Sequence, residues 1–196
     1  WQVVSLNLPR IAYKADHDDN RLFEEARKLM DQAVEIFKIK RKWMDLVRKR
    51  NRIPFATQRP IDPRTGAKGQ PAIDFEGLAS TIGLVGGNEM AQWHTGFQLH
   101  ENNQAVRILV KLILEMQNYK KELEAKTGLK LALARTPAES TAQRFGIADL
   151  LTPAFHDKAE KTVKGDLAKA QHMLAEGEKD VPVYYNNGTH VYVGAN

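Results

Sequence analysis

Residues 129–145 read LKLALARTPAESTAQRF and combine a strand, a turn and the start of a helix. The apolar run from Leu129 to Ala134 is typical of a buried strand, and Pro137 ends it. Glu139 to Phe145 is predicted to form the first turns of a helix. Hydroxyls and unpaired backbone N–H groups meet at this junction, a combination that favours a bound anion. The stretch therefore predicts an α/β fold with a candidate phosphate-binding site where the helix begins.

A second interpretation of the same residues needs no ligand. Ser140 or Thr141 would then act only as the N-cap of the helix, its hydroxyl pairing with an otherwise unpaired N–H group. Short motifs of this kind are common, so the local sequence leaves both interpretations open.

The flanking sequence predicts a strand from Val3 to Leu8, ended by Pro9, and two long helices. Apolar residues at three- and four-residue steps mark the core-facing side of each helix. They are Phe23, Ala26, Met30, Ala33, Val34 and Phe37, continued by Trp43 and Met44, in the first helix, and Ala105, Leu109, Leu112, Met116, Tyr119 and Leu123 in the second. Strands that alternate with helices predict parallel pairing with right-handed crossovers, and Gly128 is predicted to end the second helix as a left-handed cap.

Three further segments complete the prediction. Residues 53–72 contain four prolines and two glycines, which indicates a loop or flap. Residues 152–180 are polar and predict an exposed helix, with outward-facing residues Lys158, Lys161, Lys164 and Lys169. Val181–Tyr185 and Thr189–Val193 are predicted strands, and Asn187-Gly188 between them is typical of a hairpin turn.

The net charge of +5 is concentrated at the end of the first long helix. The basic residues there are Lys38, Lys40, Arg41, Lys42, Arg48, Lys49, Arg50 and Arg52. Cations at a helix carboxyl end are favoured by the helix dipole and are usually a solvated face. A basic nucleic-acid interaction module is the alternative, although no aromatic-rich binding strand or zinc-finger spacing supports it.

Composition narrows the classes of protein. Hydrophobic residues make up 42% and charged residues 27% of the chain, as expected for a soluble globular domain with its own core. The sequence contains neither an apolar run long enough to cross a membrane nor a signal peptide, so a cytoplasmic location is expected. No cysteine is present, which excludes disulfides and thiolate metal sites from this chain. The spacing of His94 and His100 fits no zinc motif, so no metal site is predicted.

Four stretches in the same order resemble class III, anaerobic ribonucleoside-triphosphate reductases. They are Val3–Ala12, the glycine-rich Thr81–Met90, the junction Thr136–Arg144, and Tyr184–His190. The resemblance runs nearly from end to end. It implies that residues 1–196 form part of the catalytic domain of such an enzyme, a ten-stranded α/β barrel of the glycyl-radical type.

The resemblance also implies roles for individual residues. Asn7 would face the reacting ribose, where its amide can donate and accept hydrogen bonds without changing charge. The substrate's phosphates would lie on the junction residues Pro137, Ala138, Glu139, Ser140, Thr141, Ala142 and Gln143. Glu139 would turn away from the phosphates, towards backbone amides or towards Arg135 or Arg144. From the residues alone, Asn7 is equally an ordinary strand asparagine and Asn187-Gly188 an ordinary turn.

The family's cofactors and partners follow from the same resemblance. Its chemistry needs a thiyl radical on a cysteine, a glycyl radical generated by a radical-SAM activating enzyme, and a zinc site near the carboxyl terminus. None of these is expected within this cysteine-free chain, which is interpreted as an internal segment that is inactive alone. The expected partners are a ribonucleoside triphosphate substrate, nucleotide effectors such as ATP, the remaining segments of the reductase and a second subunit. A stand-alone nucleotide- or phosphosugar-binding domain is the other open alternative.

Overall fold

A computed structural model of the chain describes residues 2–186. The elements are β1 Gln2–Asn7, α1 Leu8–Ala15, α2 Asp19–Lys49, α3 Pro54–Thr57, β2 Ser80–Val85, α4 Gly87–Thr95, α5 Asn103–Thr127, β3 Leu131–Arg135, α6 Glu139–Leu150, α7 His156–Glu160, β4 Lys164–Gly165, α8 Leu167–Ala175 and β5 Val183–Tyr184. None of the helices in this range is long and apolar enough to cross a membrane.

The main sheet has three parallel strands in the order β1-β2-β3. Parallel pairing of alternating strands and helices is as the sequence predicts. A second, antiparallel pair joins β4 to β5. The mixed α/β class is therefore confirmed, while the described residues show sheets of three and two strands and no ten-stranded barrel.

One face of the main sheet packs against α2 and α5. Leu6, Ile82 and Leu131 are buried there in the largest hydrophobic cluster of the described residues. The buried residues of the two helices are Leu22, Ala26, Met30, Ala33, Val34 and Phe37 in α2, and Ala105, Ile108, Leu112, Met116 and Leu123 in α5. The predicted stripes are largely confirmed, and Gly128 ends α5 at φ 66°. Trp43 was expected in the stripe but is 64% exposed, because the last turns of α2 extend beyond the sheet.

The opposite face of the sheet carries small and polar side chains. Ser5, Gly83 and Ala134 lie side by side across the three strands. A Cβ atom on Gly83 would lie 2.8 Å from Oγ1 of Thr136 and 3.0 Å from Oγ of Ser5. Only glycine therefore allows this close approach of the β3–α6 turn to the sheet.

Two short helices, α1 and α4, lie where the sequence predicted no helix. Pro9 was expected only to end the first strand, but it lies in the first turn of α1, where its missing N–H group costs no hydrogen bond. The strand consequently ends at Asn7, and Leu8 is already helical. The turn after β2 continues directly into α4, with Gly86 in the left-handed conformation at φ 81°.

The segment 152–180 is not one exposed helix. Helices α7 and α8 are separated by β4, and two of the lysines expected to face solvent make internal contacts. Lys158 Nζ donates to the carbonyl of Tyr13 at 2.7 Å, and Lys164 Nζ donates to Oε1 of Gln92 at 2.8 Å. The predicted strand Thr189–Val193, its turn Asn187-Gly188 and His190 lie outside the described residues. Residues 53–72 contain α3 and one isolated bridge between Ile61 and Lys68.

Candidate substrate-binding site

The first turn of α6 has free backbone N–H groups. Ala138 precedes the helix in a left-handed conformation, φ 36° and ψ 42°, and no side chain in the described range caps it. The first helical bond runs from the N–H of Ala142 to the carbonyl of Ala138 at 2.8 Å. The N–H groups of Glu139, Ser140 and Thr141 thus point out of the helix end without a partner among residues 2–186.

This geometry contradicts the simple capping interpretation. Ser140 and Thr141 lie inside the first turn, and the N-cap position belongs to Ala138, whose side chain accepts no hydrogen bond. A left-handed alanine costs about 1–2 kcal/mol relative to an ordinary backbone conformation. The turn is therefore strained and uncapped, and both features are typical of ligand-binding loops.

Two clefts of about 620 Å³ each lie on either side of this helix. The first is lined by Ser140 and Gln143 together with β5. The second is lined by Thr141 and Arg144 on α6, and by Asn7 and Arg10 at the end of β1. The structure thus brings Thr141 and Asn7 to one cleft and leaves Ser140 on the other side.

The other predicted loop residues differ in their surroundings. Ala142 is buried against Val85 and Tyr185, where it contributes to packing. Gln143 donates through Nε2 to Oδ1 of Asp180 at 2.7 Å, so its amide already has a partner. Pro137 is exposed at the turn.

Glu139 is also exposed, and the expected arginine contact is not formed. Within residues 2–186 it makes no ion pair with Arg135 or Arg144. All three side chains are therefore left facing solvent at this end of α6.

Asn7 is 8% exposed, and its side chain makes two hydrogen bonds with other residues of the described range 2–186. Its Oδ1 accepts from the N–H of Arg10 at 3.2 Å and so caps α1. Its Nδ2 donates to Oδ2 of Asp149 at 2.8 Å. The sequence predicted a strand residue here, but the side chain also starts the following helix.

Asp149, on the last turn of α6, is the centre of a buried polar network. Its side chain is fully buried and is paired with Arg10, whose Nε lies 2.5 Å from Oδ1. The hydroxyl of Tyr185 donates to Oδ2 at 2.9 Å. Tyr185 lies 2.9 Å from the hydroxyl of Tyr13, which is hydrogen bonded to Thr162. Burial raises the pKa of both tyrosines, so the hydroxyls stay protonated.

A second buried carboxylate, Glu89 on α4, holds the end of the described chain. It accepts from the backbone N–H of Asn186 at 3.1 Å and from the Nδ2 of Asn186 at 2.6 Å. The N–H of Gly86 in turn donates to the carbonyl of Asn186 at 2.7 Å. Burial raises the pKa of Glu89, and burial lowers the pKa of nearby Lys164.

Sequence reasoning missed Asp149, Arg10 and Glu89. An acidic residue in a helix is usually solvated, and single-sequence patterns do not show which one is buried. Asp149 could have been suspected because it lies between the apolar pairs Ile147–Ala148 and Leu150–Leu151.

Histidines do not build the site. Nε2 of His94 donates to Oδ1 of Asp19 at 2.8 Å, and His100, six residues further along the chain, is exposed. His156, Asp157 and Glu160 on α7 bring three potential metal ligand atoms within 4.8 Å of one another. They lie at the surface, and Nδ1 of His156 already bonds to the carbonyl of Leu150 at 2.6 Å.

A parallel sheet that runs into an uncapped helix defines an α/β protein with a candidate anion site. The chain belongs to the anaerobic ribonucleoside-triphosphate reductase family, because the sequence model of that family matches residues 1–196. A comparison with curated proteins finds no match.

Solved structures agree on the fold. An anaerobic ribonucleotide reductase superposes with a TM-score of 0.66 at 16% identity, over 80% of this chain and 23% of that chain. The Thermotoga maritima enzyme with dATP in the specificity site gives a TM-score of 0.65 at 17% identity, over 82% and 25%. The same enzyme with dATP and CTP gives 0.60 at 17% identity, over 81% and 25%. The chain thus spans about a quarter of the length of these proteins.

Proposed function

We propose that this chain supplies the substrate-binding side of a radical-dependent reductase that converts ribonucleoside triphosphates to deoxyribonucleotides. One observation carries the proposal: Thr141, on the uncapped first turn of α6, and Asn7, at the end of β1, line the same cleft. A phosphate group and a sugar of one nucleotide could occupy these two ends together. Family membership supplies the reaction class.

At the phosphate end, the free N–H groups of the first turn carry the positive end of the helix dipole. Arg144 and Lys179 line the same cleft. A triphosphate placed there would meet backbone donors, the hydroxyl of Thr141 and two cationic side chains. Ser140 faces the neighbouring cleft and would contribute its N–H group rather than its hydroxyl.

At the sugar end, the amide of Asn7 keeps part of its hydrogen-bonding capacity. One Nδ2 hydrogen is used by Asp149 and one lone pair of Oδ1 is used by Arg10. The second hydrogen and the second lone pair remain for a ribose hydroxyl. A neutral amide suits radical chemistry because it provides both roles without a change of charge.

Other parts of the full-length enzyme would provide the radical chemistry itself. This sequence has no cysteine, so the thiyl radical and any cysteine-bound zinc would come from outside it, and we propose the same for the glycyl radical. We place the three-stranded sheet within a ten-stranded barrel completed by those parts. A radical-SAM activating enzyme, nucleotide effectors and a second subunit belong to the same proposal.

The two alternative functions are less well supported. A stand-alone phosphate-binding domain would keep the first turn of α6 but gives no reason for Asn7 to line the cleft. A nucleic-acid module needs free positive charge near the end of α2. Three of the eight basic residues there are already paired, Lys38 with Glu35, and Arg41 and Arg48 with Glu76.

The test is removal of both hydroxyls, Ser140→Ala with Thr141→Ala, in the full-length protein. We expect the dissociation constant for the ribonucleoside triphosphate to rise by about tenfold, the loss expected for a hydrogen bond to a charged group. The melting temperature should barely change, because neither side chain caps the helix. Titration at two salt concentrations separates this from polyanion binding, which falls steeply with salt.

Thr152→Ala is the matched control. It removes a hydroxyl at the other end of the same helix, where Oγ1 donates to the carbonyl of Ala148 at 2.6 Å. Its nucleotide affinity should equal that of the unaltered protein. An unchanged affinity in the double variant, with a lowered melting temperature, would remove Ser140 and Thr141 from the site.

A further inference from the structure

We propose that Asp149 is a positioning residue, which fixes the amide of Asn7 in the orientation needed at the sugar. This inference rests on the proposed function, since it takes Asn7 to be the group that meets the ribose. It assigns a role to a buried carboxylate that touches neither the phosphate end of the cleft nor the substrate.

The two carboxylate oxygens of Asp149 contact different groups. Oδ2 accepts from Nδ2 of Asn7 at 2.8 Å and from the hydroxyl of Tyr185 at 2.9 Å. Oδ1 accepts from Nε of Arg10 at 2.5 Å, and Nη2 of Arg10 lies at the same distance. The carboxylate is 0% exposed, so no water competes for either oxygen.

These contacts allow one orientation of the Asn7 amide. A carboxylate accepts hydrogen bonds only, so the NH₂ group of Asn7 must face Asp149. The Oδ1 atom then faces the N–H of Arg10, which it accepts at 3.2 Å. If Asp149 were not an acceptor, only the bond from the N–H of Arg10 would oppose a half-turn of the amide, which would exchange its donor and acceptor at the sugar.

The same helix links this orientation to the phosphate end. Thr141 and Asp149 are eight residues apart on α6, which corresponds to a rise of about 12 Å. The first turn of the helix lines the cleft, and the last turn holds the side chain at its far end. Asp149 therefore sets both the orientation of Asn7 and its distance from the phosphates.

Asp149→Asn is the informative substitution, because it preserves shape and packing. The guanidinium of Arg10 can only donate, so the new side-chain oxygen would turn to Arg10. The new NH₂ group would then face the NH₂ group of Asn7, and the two donors would repel. Replacement by alanine is less useful, since it leaves the guanidinium of Arg10 without its partner.

The experiment is a double-mutant cycle in the full-length protein, with Asn7→Ala, Asp149→Asn and both together. Turnover and nucleotide affinity are measured for a ribonucleoside triphosphate. We expect Asp149→Asn to lower kcat by about tenfold or more while the dissociation constant changes less than about threefold. In the Asn7→Ala background, Asp149→Asn should have no further effect on kcat, because it acts through Asn7.

Tyr185→Phe is the control within the same network. It removes the other hydrogen bond to Oδ2 and leaves the bond from Asn7 in place. Whatever its own effect on kcat, that effect should be the same with and without Asn7. A general loosening of the network would instead couple both substitutions to Asn7.

A second variant covers the case in which Asp149→Asn folds poorly. Exchanging the pair, Asn7→Asp with Asp149→Asn, restores one donor opposite one acceptor. We expect a melting temperature above that of Asp149→Asn alone, with kcat still low because an aspartate cannot donate to the sugar. Recovery of turnover in the exchanged pair would overturn the proposal.

Two results separate this inference from the proposed function. If Asp149→Asn lowers kcat by the same factor with and without Asn7, Asp149 does not act through Asn7 and the inference is wrong. If Asn7→Ala leaves kcat unchanged, the role of Asn7 fails and the inference fails with it. The affinity test on Ser140 and Thr141 stands independently of both results.

Discussion

At the scale of single residues, the buried acidic side chain of Glu89 makes the stability of this protein depend on pH. Glu89 is 0% exposed, and its carboxylate joins α4 to the backbone and side chain of Asn186. Because burial raises its pKa from the ordinary 4.5, the folded protein keeps a proton that the unfolded chain releases. The free energy of unfolding must then fall as the pH rises from 4.5 to the raised pKa of the folded state.

Glu89→Gln tests this sign. The glutamine cannot ionise. The melting temperature of the unaltered protein, measured relative to that of the variant, should therefore fall as the pH rises from 4.5 to neutrality. The exposed Glu122→Gln on α5, measured over the same pH range, is the control for the loss of one acidic side chain at the surface. A pH-independent difference for Glu89→Gln would show that folding does not raise the pKa of Glu89.

Some site residues could be predicted from sequence and others could not. The Thr136–Arg144 junction was recognisable because proline, hydroxyl residues and a following helix are neighbours in the chain. The contact between Asn7 and Asp149 joins residues 142 positions apart, and no local pattern reports it. The conformation of Ala138 was also hidden, since alanine carries no sequence signal for a left-handed turn.

At the scale of elements, the sequence predicted the helices with a regular apolar stripe and missed those without one. Helices α2 and α5 were found because their buried residues repeat over many turns. Helices α1 and α4 have 8 and 9 residues and begin at proline or glycine, which normally indicate loops. Tertiary contacts, in particular their packing against each other, overrode the local signal.

Helix α4 offers a matched pair of glycines for a stability test. Gly86 precedes it and Gly96 follows it, at φ 81° and φ 83°. A Cβ atom on Gly96 meets nothing within 4 Å, whereas one on Gly86 would lie 2.4 Å from Cδ of Pro9. The two sites share the same backbone strain and differ in the clash.

We expect Gly96→Ala to lower the free energy of unfolding by about 1–2 kcal/mol, from the left-handed backbone alone. Gly86→Ala should cost about 1–3 kcal/mol more, because it also forces α1 away from β2. Denaturant unfolding of both variants measures the difference. Equal losses would mean that Pro9 moves aside without cost.

At the scale of the whole molecule, the described sheet is small and has two open edges. Strands β1 and β3 are its outer strands, and each leaves a row of backbone groups unpaired by a neighbour within residues 2–186. Val3 on β1 is 53% exposed. Open edges of this kind pair with other chains when they can.

The 196-residue chain, produced alone, should therefore self-associate as its concentration rises. Val3→Lys should weaken this association, because a charged side chain on an edge strand opposes pairing. Val110→Lys on the exposed side of α5, where the valine is 48% exposed, is the control and should leave association unchanged. Sedimentation equilibrium distinguishes the two. Loss of association only in the α5 variant would place the contact on that helix.

Helix α6 would set the distance between the two ends of a bound nucleotide. In the proposed function, its first turn would receive the phosphates and its last turn would fix the amide that meets the sugar, so the helix would select ligands by their length. Substitutions on the surface of the protein would not change the length of ligand that is selected. Inserting one residue between Thr141 and Asp149 would lengthen the helix by about 1.5 Å and also turn its last turn by about 100° relative to its first. Small changes in the spacing from Thr141 to Asp149 would therefore not be possible, and the accepted substrate length would be set by the backbone of α6.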